Sequence, residues 1–135
     1  MNRFTVKTTQ RIGLYDITDK VKKAVKGYAI SDGVAVIYVP HTTAAVIINE
    51  NYDPGVVEDI NDTLARLIPA NESYHHTEDN ADAHIKAAII GSSRTVIITN
   101  GSISLGRWQG IFLCEFDGPR EREVWLTIHN RRKDA

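Results

Sequence analysis

The chain has 135 residues, 42% hydrophobic and 24% charged, with a formal charge of −1 when the histidines are neutral. That length suits one domain with its own core, and the near-neutral balance supplies no field to draw nucleic acid or an anionic membrane. Cys114 is the single cysteine, so no intrachain disulfide forms; no signal-like or membrane-spanning apolar run is present, and the expected setting is the cytoplasm.

Phe4 to Thr8 alternates and predicts a strand, with Ile12 to Ile17 returning beside it. Asp16 or Thr18 caps a short helix whose Val21, Ala24, Val25 and Tyr28 share one face. Lys20, Lys22, Lys23 and Lys26 read as the solvated side of that helix. A turn at Ser31-Asp32-Gly33 leads to a buried strand, Val34 to Val39, ended by Pro40. Ala44 to Ile48 makes the next strand.

Asp53-Pro54 opens the clearest helix, with a capping carboxylate followed by proline at the first helical position. Val57, Ile60, Leu64, Leu67 and Ile68 repeat at helical spacing until Pro69. A second long helix runs from about Asn80 to Ile90, with Gly91 at its end and Ala81, Ile85, Ala88 and Ile89 facing the core. Beyond it the chain is strand-rich. Arg94 to Thr99 and Ile103 to Leu105 flank the tight-turn pair Asn100-Gly101. Trp108 to Phe116 holds Cys114 as a buried structural thiol, with Trp108 expected in the core. Asp117-Gly118-Pro119 turns, and Glu123 to His129 alternates. No βαβ rhythm appears, so the expected fold is α+β: helices packed on a mixed, largely antiparallel β-sheet. Residues 1–130 form a single domain, and 131–135 a frayed tail.

Chemistry gathers at the ends of these elements. His41 follows a strand directly, His76 leads into the second long helix, and His84 lies at the edge of its apolar face. Neutral imidazole is the commonest nitrogen ligand for zinc-like ions. The three histidines therefore form a candidate metal set, although a surface or satisfied core histidine is the commoner role for each alone. Glu50, after a strand, has no capping duty and is a candidate base or partner of a metal-bound water. Asp53 is explained by its helix cap. Arg120, beyond a rigid turn, is placed for a bidentate phosphate contact. Gly101 to Gly110 lacks the Gly-Lys-Ser/Thr ending of a P-loop, but offers backbone amides to an anion. His75 and His129 are read as non-ligands.

Pro40-His41-Thr42-Thr43-Ala44, Asn49-Glu50-x-x-Asp53, Tyr74-x-His76 and Ala83-His84-Ile85-Lys86 stand in the order found in a known family. Gly106-x-Trp108-Gln109-Gly110-Ile111 and Asp117-Gly118-Pro119-Arg120 complete the set, which resembles the YjbQ-like family, the secondary thiamine-phosphate synthases. The resemblance covers about residues 4 to 129. It implies an α+β fold, a homotrimer and a polar metal-binding pocket with His41, Glu50, His76, His84 and Arg120 as candidates. It also implies the joining of a hydroxymethylpyrimidine diphosphate to a thiazole phosphate. Zinc suits three histidines, whereas a diphosphate substrate suits magnesium. Two other readings of the same residues stay open: a metal-assisted hydrolase of a phosphate or amide, and a non-catalytic metal-binding module.

Overall fold

A computed structural model describes residues 2–75 and 79–131. The strands are β1 (Asn2–Lys7), β2 (Gly13–Asp16), β3 (Gly33–Tyr38), β4 (Ala44–Glu50), β5 (Ser93–Thr99), β6 (Ser102–Ser104), β7 (Gln109–Glu115) and β8 (Glu121–Asn130). The helices are α1 (Thr18–Lys26), α2 (Pro54–Leu67) and α3 (Ala81–Ile90). Two sheets form, one in the order β1-β8-β3-β5-β6 and the other β2-β7-β4. Their ladders are antiparallel throughout the described residues. The expected α+β class holds. The pairing of Ile12–Ile17 with the first strand does not: β2 pairs with β7 in the other sheet.

The main core lies between the sheets. Val6, Ala35, Ile37, Val124 and Leu126 of the five-stranded sheet meet Ala44, Val46, Ile111 and Leu113 of the three-stranded one. Val21 and Val25 of α1 join this cluster, as their i, i+4 spacing predicts. At the start of α1, Asp16 accepts bonds from the backbone and hydroxyl of Thr18, at 2.9 and 2.5 Å. Asn100 and Gly101 have φ of 51° and 80°, the left-handed pair that closes the β5–β6 hairpin.

On the other face of the three-stranded sheet, Ala83 and Ala87 of α3 pack against Ala45, Cys114 and Phe116. Small side chains at i and i+4 let the helix approach the sheet closely. This sets α3 in a different rotation from the one expected. Ile85 and Ile89 are 37% and 64% exposed, while Asp82 and Lys86 are buried. Burial is tolerable because the Lys86 ammonium lies 3.4 Å from Asp82 and 5.8 Å from the centre of the Phe116 ring. Arg11 adds a second cation, 3.1 Å from Asp82. Burial pushes the Asp82 carboxyl up, but Arg11 and Lys86 outweigh it and hold it below its ordinary value.

Helix α2 begins as expected: Asp53 accepts from the Gly55 N–H at 2.8 Å, with Pro54 in the first turn. Its apolar stripe, however, contains no fully buried residue. Trp108 also departs from expectation. It is 47% exposed and packs its ring against Tyr52, centroids 4.9 Å apart. Cys114 is buried, and burial pushes its thiol up to about 12, consistent with an inert structural group. Strand β8 reaches Asn130, and the Arg131 N–H donates to the Asp32 carbonyl at 2.8 Å. The rest of the expected tail, 132–135, lies outside the described residues. No helix among those residues is long and apolar enough to cross a membrane.

Candidate functional site

Three chain segments meet at a polar cleft of about 370 Å³. The β3–β4 connection supplies Pro40, His41, Thr42 and Thr43. The first turns of α3 supply Asn80 and His84, and the β7–β8 turn with the start of β8 supplies Asp117, Arg120 and Arg122. His41, His84 and Arg120, three candidates widely separated in sequence, thus line one cavity.

Beneath the cleft lies a buried ion pair that fixes the turn. Arg122 and Glu115 are 4% and 0% exposed, and Arg122 Nε donates to Glu115 Oε1 at 2.9 Å. A second guanidinium nitrogen donates to Glu115 Oε2 and to the Thr43 hydroxyl. Thr8 donates its hydroxyl to Glu115 at 2.7 Å and accepts the Arg120 N–H at 2.8 Å. Burial pushes the Glu115 carboxyl up. The bonds from Arg122, Thr8 and the Asp117 N–H outweigh that effect and hold it below its ordinary value. The charge at this depth is therefore matched in place, as a buried pair requires.

Arg120, half exposed, is anchored on one side. Its Nε donates to the Asp117 carbonyl at 2.7 Å and its Nη2 to the Asp117 carboxylate at 3.0 Å. Asn80 donates to the same carboxylate at 2.9 Å, tying the start of α3 to the turn. Burial raises the Asp117 carboxyl, while Asn80 and Arg120 more than compensate and lower it. Asn80 therefore spends its amide on the turn, and no side-chain bond caps α3.

His41 has a structural duty. Strand β3 pairs with β8 only as far as Tyr38 opposite Trp125, so the chain has left the ladder before reaching Glu123. His41 Nε2 accepts the Glu123 N–H at 2.9 Å and completes the bonding of β8 there. Burial and the Arg122 cation both lower its tendency to protonate. An imidazole that accepts at Nε2 and is neutral carries its proton on Nδ1.

That arrangement does not fit a three-histidine metal set. The Nε2 lone pair is engaged by the Glu123 N–H and is not open to an ion in this conformation. His76 lies outside the described residues. Among those described, no three His, Cys, Asp or Glu side chains stand close enough to hold an ion. Glu50 is not in the cleft either. It sits at the far end of β4 from Ala44, about 20 Å away by strand rise, beside an open hollow of about 670 Å³ with Tyr52, Asp53, Pro54 and Trp108. His75 is exposed, and His129 lines a separate hollow at the Gly33 end of β3. In the glycine-rich segment, the Gln109 side chain accepts the Gly106 N–H at 2.7 Å, which removes one amide from any anion site.

Sequence reading missed Glu115, Arg122 and Thr8. A signal was there: Arg122 is in phase with Val124 and Leu126 on the inward face of β8, and Glu115 interrupts the apolar run of β7. A charge in phase with a buried face needs a partner, and each is the other's.

Fold and site define a two-sheet α+β domain whose polar cleft joins a strand connection, a helix start and an arginine-bearing turn. The chain belongs to the YjbQ-like UPF0047 family, whose model matches residues 2–131. A UPF0047 protein of Methanocaldococcus jannaschii is 51% identical over 93% of this chain and 91% of its own length. YugU of Bacillus subtilis, also a UPF0047 protein, is 44% identical over 91% and 94%. A crystal structure of an uncharacterised family member from Clostridium acetobutylicum superposes with a TM-score of 0.93 at 48% identity, covering 96% of this chain and 100% of that one. A Sulfolobus solfataricus protein described as of unknown function gives 0.92 at 36% identity, covering 96% of each.

Proposed function

We propose that the cleft binds the phosphate end of a small phosphorylated substrate in the cytoplasm. The reaction is transfer from a hydroxymethylpyrimidine diphosphate to a thiazole phosphate, giving thiamine phosphate. One observation carries this reading: a carboxylate-anchored Arg120, the first turns of α3 and a neutral imidazole line the same small cavity. A planar guanidinium held on one edge presents its other edge to an anion. The helix start adds a favourable field for negative charge.

In this transfer the thiazole nitrogen attacks the methylene carbon of the pyrimidine. The carbon–oxygen bond breaks and its electron pair leaves with the diphosphate. Charge that builds on the leaving oxygen is met by Arg120 and the α3 start, in the manner of preorganised electrostatic stabilisation. No step passes through a histidine-held metal, because His41 does not offer the lone pair. Glu50 takes no part within one chain. We further propose assembly as a homotrimer, supported by the uncovered apolar stripe of α2.

The test is diphosphate release from the pyrimidine substrate, measured with and without thiazole phosphate, in wild type and Arg120→Ala. The proposal expects release that needs the thiazole partner and falls at least tenfold in the variant. Release indifferent to the partner indicates hydrolysis instead. No release, together with no binding of either phosphate, overturns the catalytic reading and favours a binding module.

A further inference from the structure

We infer that His41 is a strand clamp and hydrogen-bond donor locked as the Nδ1-protonated tautomer, and that it is not a metal ligand. The inference does not depend on which substrate the cleft takes.

Strand β8 runs from Glu121 to Asn130, but its β3 partner ends at Tyr38, opposite Trp125. The Glu123 N–H lies two residues past that last pair, where Pro40 turns the chain away. A backbone donor shielded from water needs an acceptor, and His41 Nε2 receives this one at 2.9 Å. Turning the ring over exchanges Nε2 with a carbon, which accepts no such bond, so the backbone itself selects the ring orientation. A neutral ring that accepts at Nε2 has its hydrogen on Nδ1.

The surroundings point the same way. The Arg122 guanidinium acts on His41 electrostatically, and with Arg120 it lines the same cleft. Glu115 on β7 is committed to Arg122 and Thr8, Asp117 to Asn80 and Arg120, and Glu123 lies 3.5 Å from Arg3. A dication on His41 would have to break the Glu123 bond and sit beside Arg122, where the described Glu115, Asp117 and Glu123 carboxylates are already paired. The ring is instead built to donate Nδ1–H.

The experiment is nitrogen-15 NMR of histidine-labelled protein, recorded with excess zinc and again after chelation. The expected result is a protonated Nδ1 and an unprotonated, accepting Nε2 for His41 in both samples. A protonated Nε2, or a His41 nitrogen resonance that moves to a metal-bound position with zinc, overturns the inference. A second arm uses His41→Gln, whose side-chain oxygen can take the Glu123 N–H. Zinc stoichiometry in that variant is expected to equal wild type, zero included. A loss of bound zinc of tenfold or more, with the circular dichroism spectrum unchanged, shows that His41 was a ligand. Neither arm reads activity, so failure here is distinct from failure of the transferase reading.

Discussion

At the scale of single residues, the cleft is governed by groups whose charge state is set by burial and by the partners packed against them. His41 protonates less readily in the fold than its ordinary value of 6.5 allows. The unfolded chain therefore binds the proton first. Stability from this residue is complete above pH 6.5 and declines as pH falls from there towards the lowered folded value. Urea unfolding midpoints between pH 8 and 5.5 check this: wild type loses stability over that range, and His41→Gln loses less. A gain on acidification would mean that the folded ring is charged. Glu115 shifts in the same sense, at lower pH. Its carboxyl is lowered from 4.5, so its contribution is present above that value and is lost as pH falls through the folded one. Arg122→Met leaves a buried carboxylate without its cation and is expected to cost about 3–5 kcal/mol in denaturant unfolding.

At the scale of elements, the two long helices show how far a sequence pattern reaches. The start of α2 was legible because a cap is local: Asp53, Pro54 and the Gly55 N–H are chain neighbours. Asp53→Ala is expected to lower stability by about 1 kcal/mol, read from the unfolding midpoint. The rotation of α3 was not legible. Apolar side chains lie on both sides of that helix, so periodicity offers two candidate faces and favours the bulkier. The three-stranded sheet takes the smaller one, because Ala83 and Ala87 fit against Ala45 and Phe116 while Asp82 and Lys86 neutralise each other. Ala83→Leu is expected to cost about 1–3 kcal/mol by overpacking that contact. A substitution there without effect would place the helix in the other rotation.

At the scale of the whole molecule, a single chain leaves much apolar surface uncovered. Leu67, Tyr52 and Ile89 are 72%, 74% and 64% exposed, and the α2 stripe is nowhere fully buried. The proposed trimer places this surface between copies of the chain. The expected solution mass by light scattering is three times the 15.1 kDa of one chain, and Leu67→Glu is expected to shift it towards the monomer. A monodisperse wild-type mass of one chain would sink the trimer. The same scale explains the partial legibility of the site. His41, His84 and Arg120 were found as polar interruptions at element ends, and they do meet in one cleft. Glu50 was found by the same rule and lies at the opposite end of its strand. Spacing along a chain does not tell which end of a sheet a residue occupies.

By itself the sequence determined what depends on neighbours in the chain. Strands β3, β4 and β5, the Asn100-Gly101 hairpin, the α2 cap and the α+β class follow from alternation, turn chemistry and capping, which act over a few residues. Tertiary structure alone decided which sheet receives β2, which face α3 buries, and how Glu115 and Arg122 find each other. It also decided the duty of His41. The bond that fixes its ring joins residues 82 positions apart, and it exists only because β3 ends before β8 does.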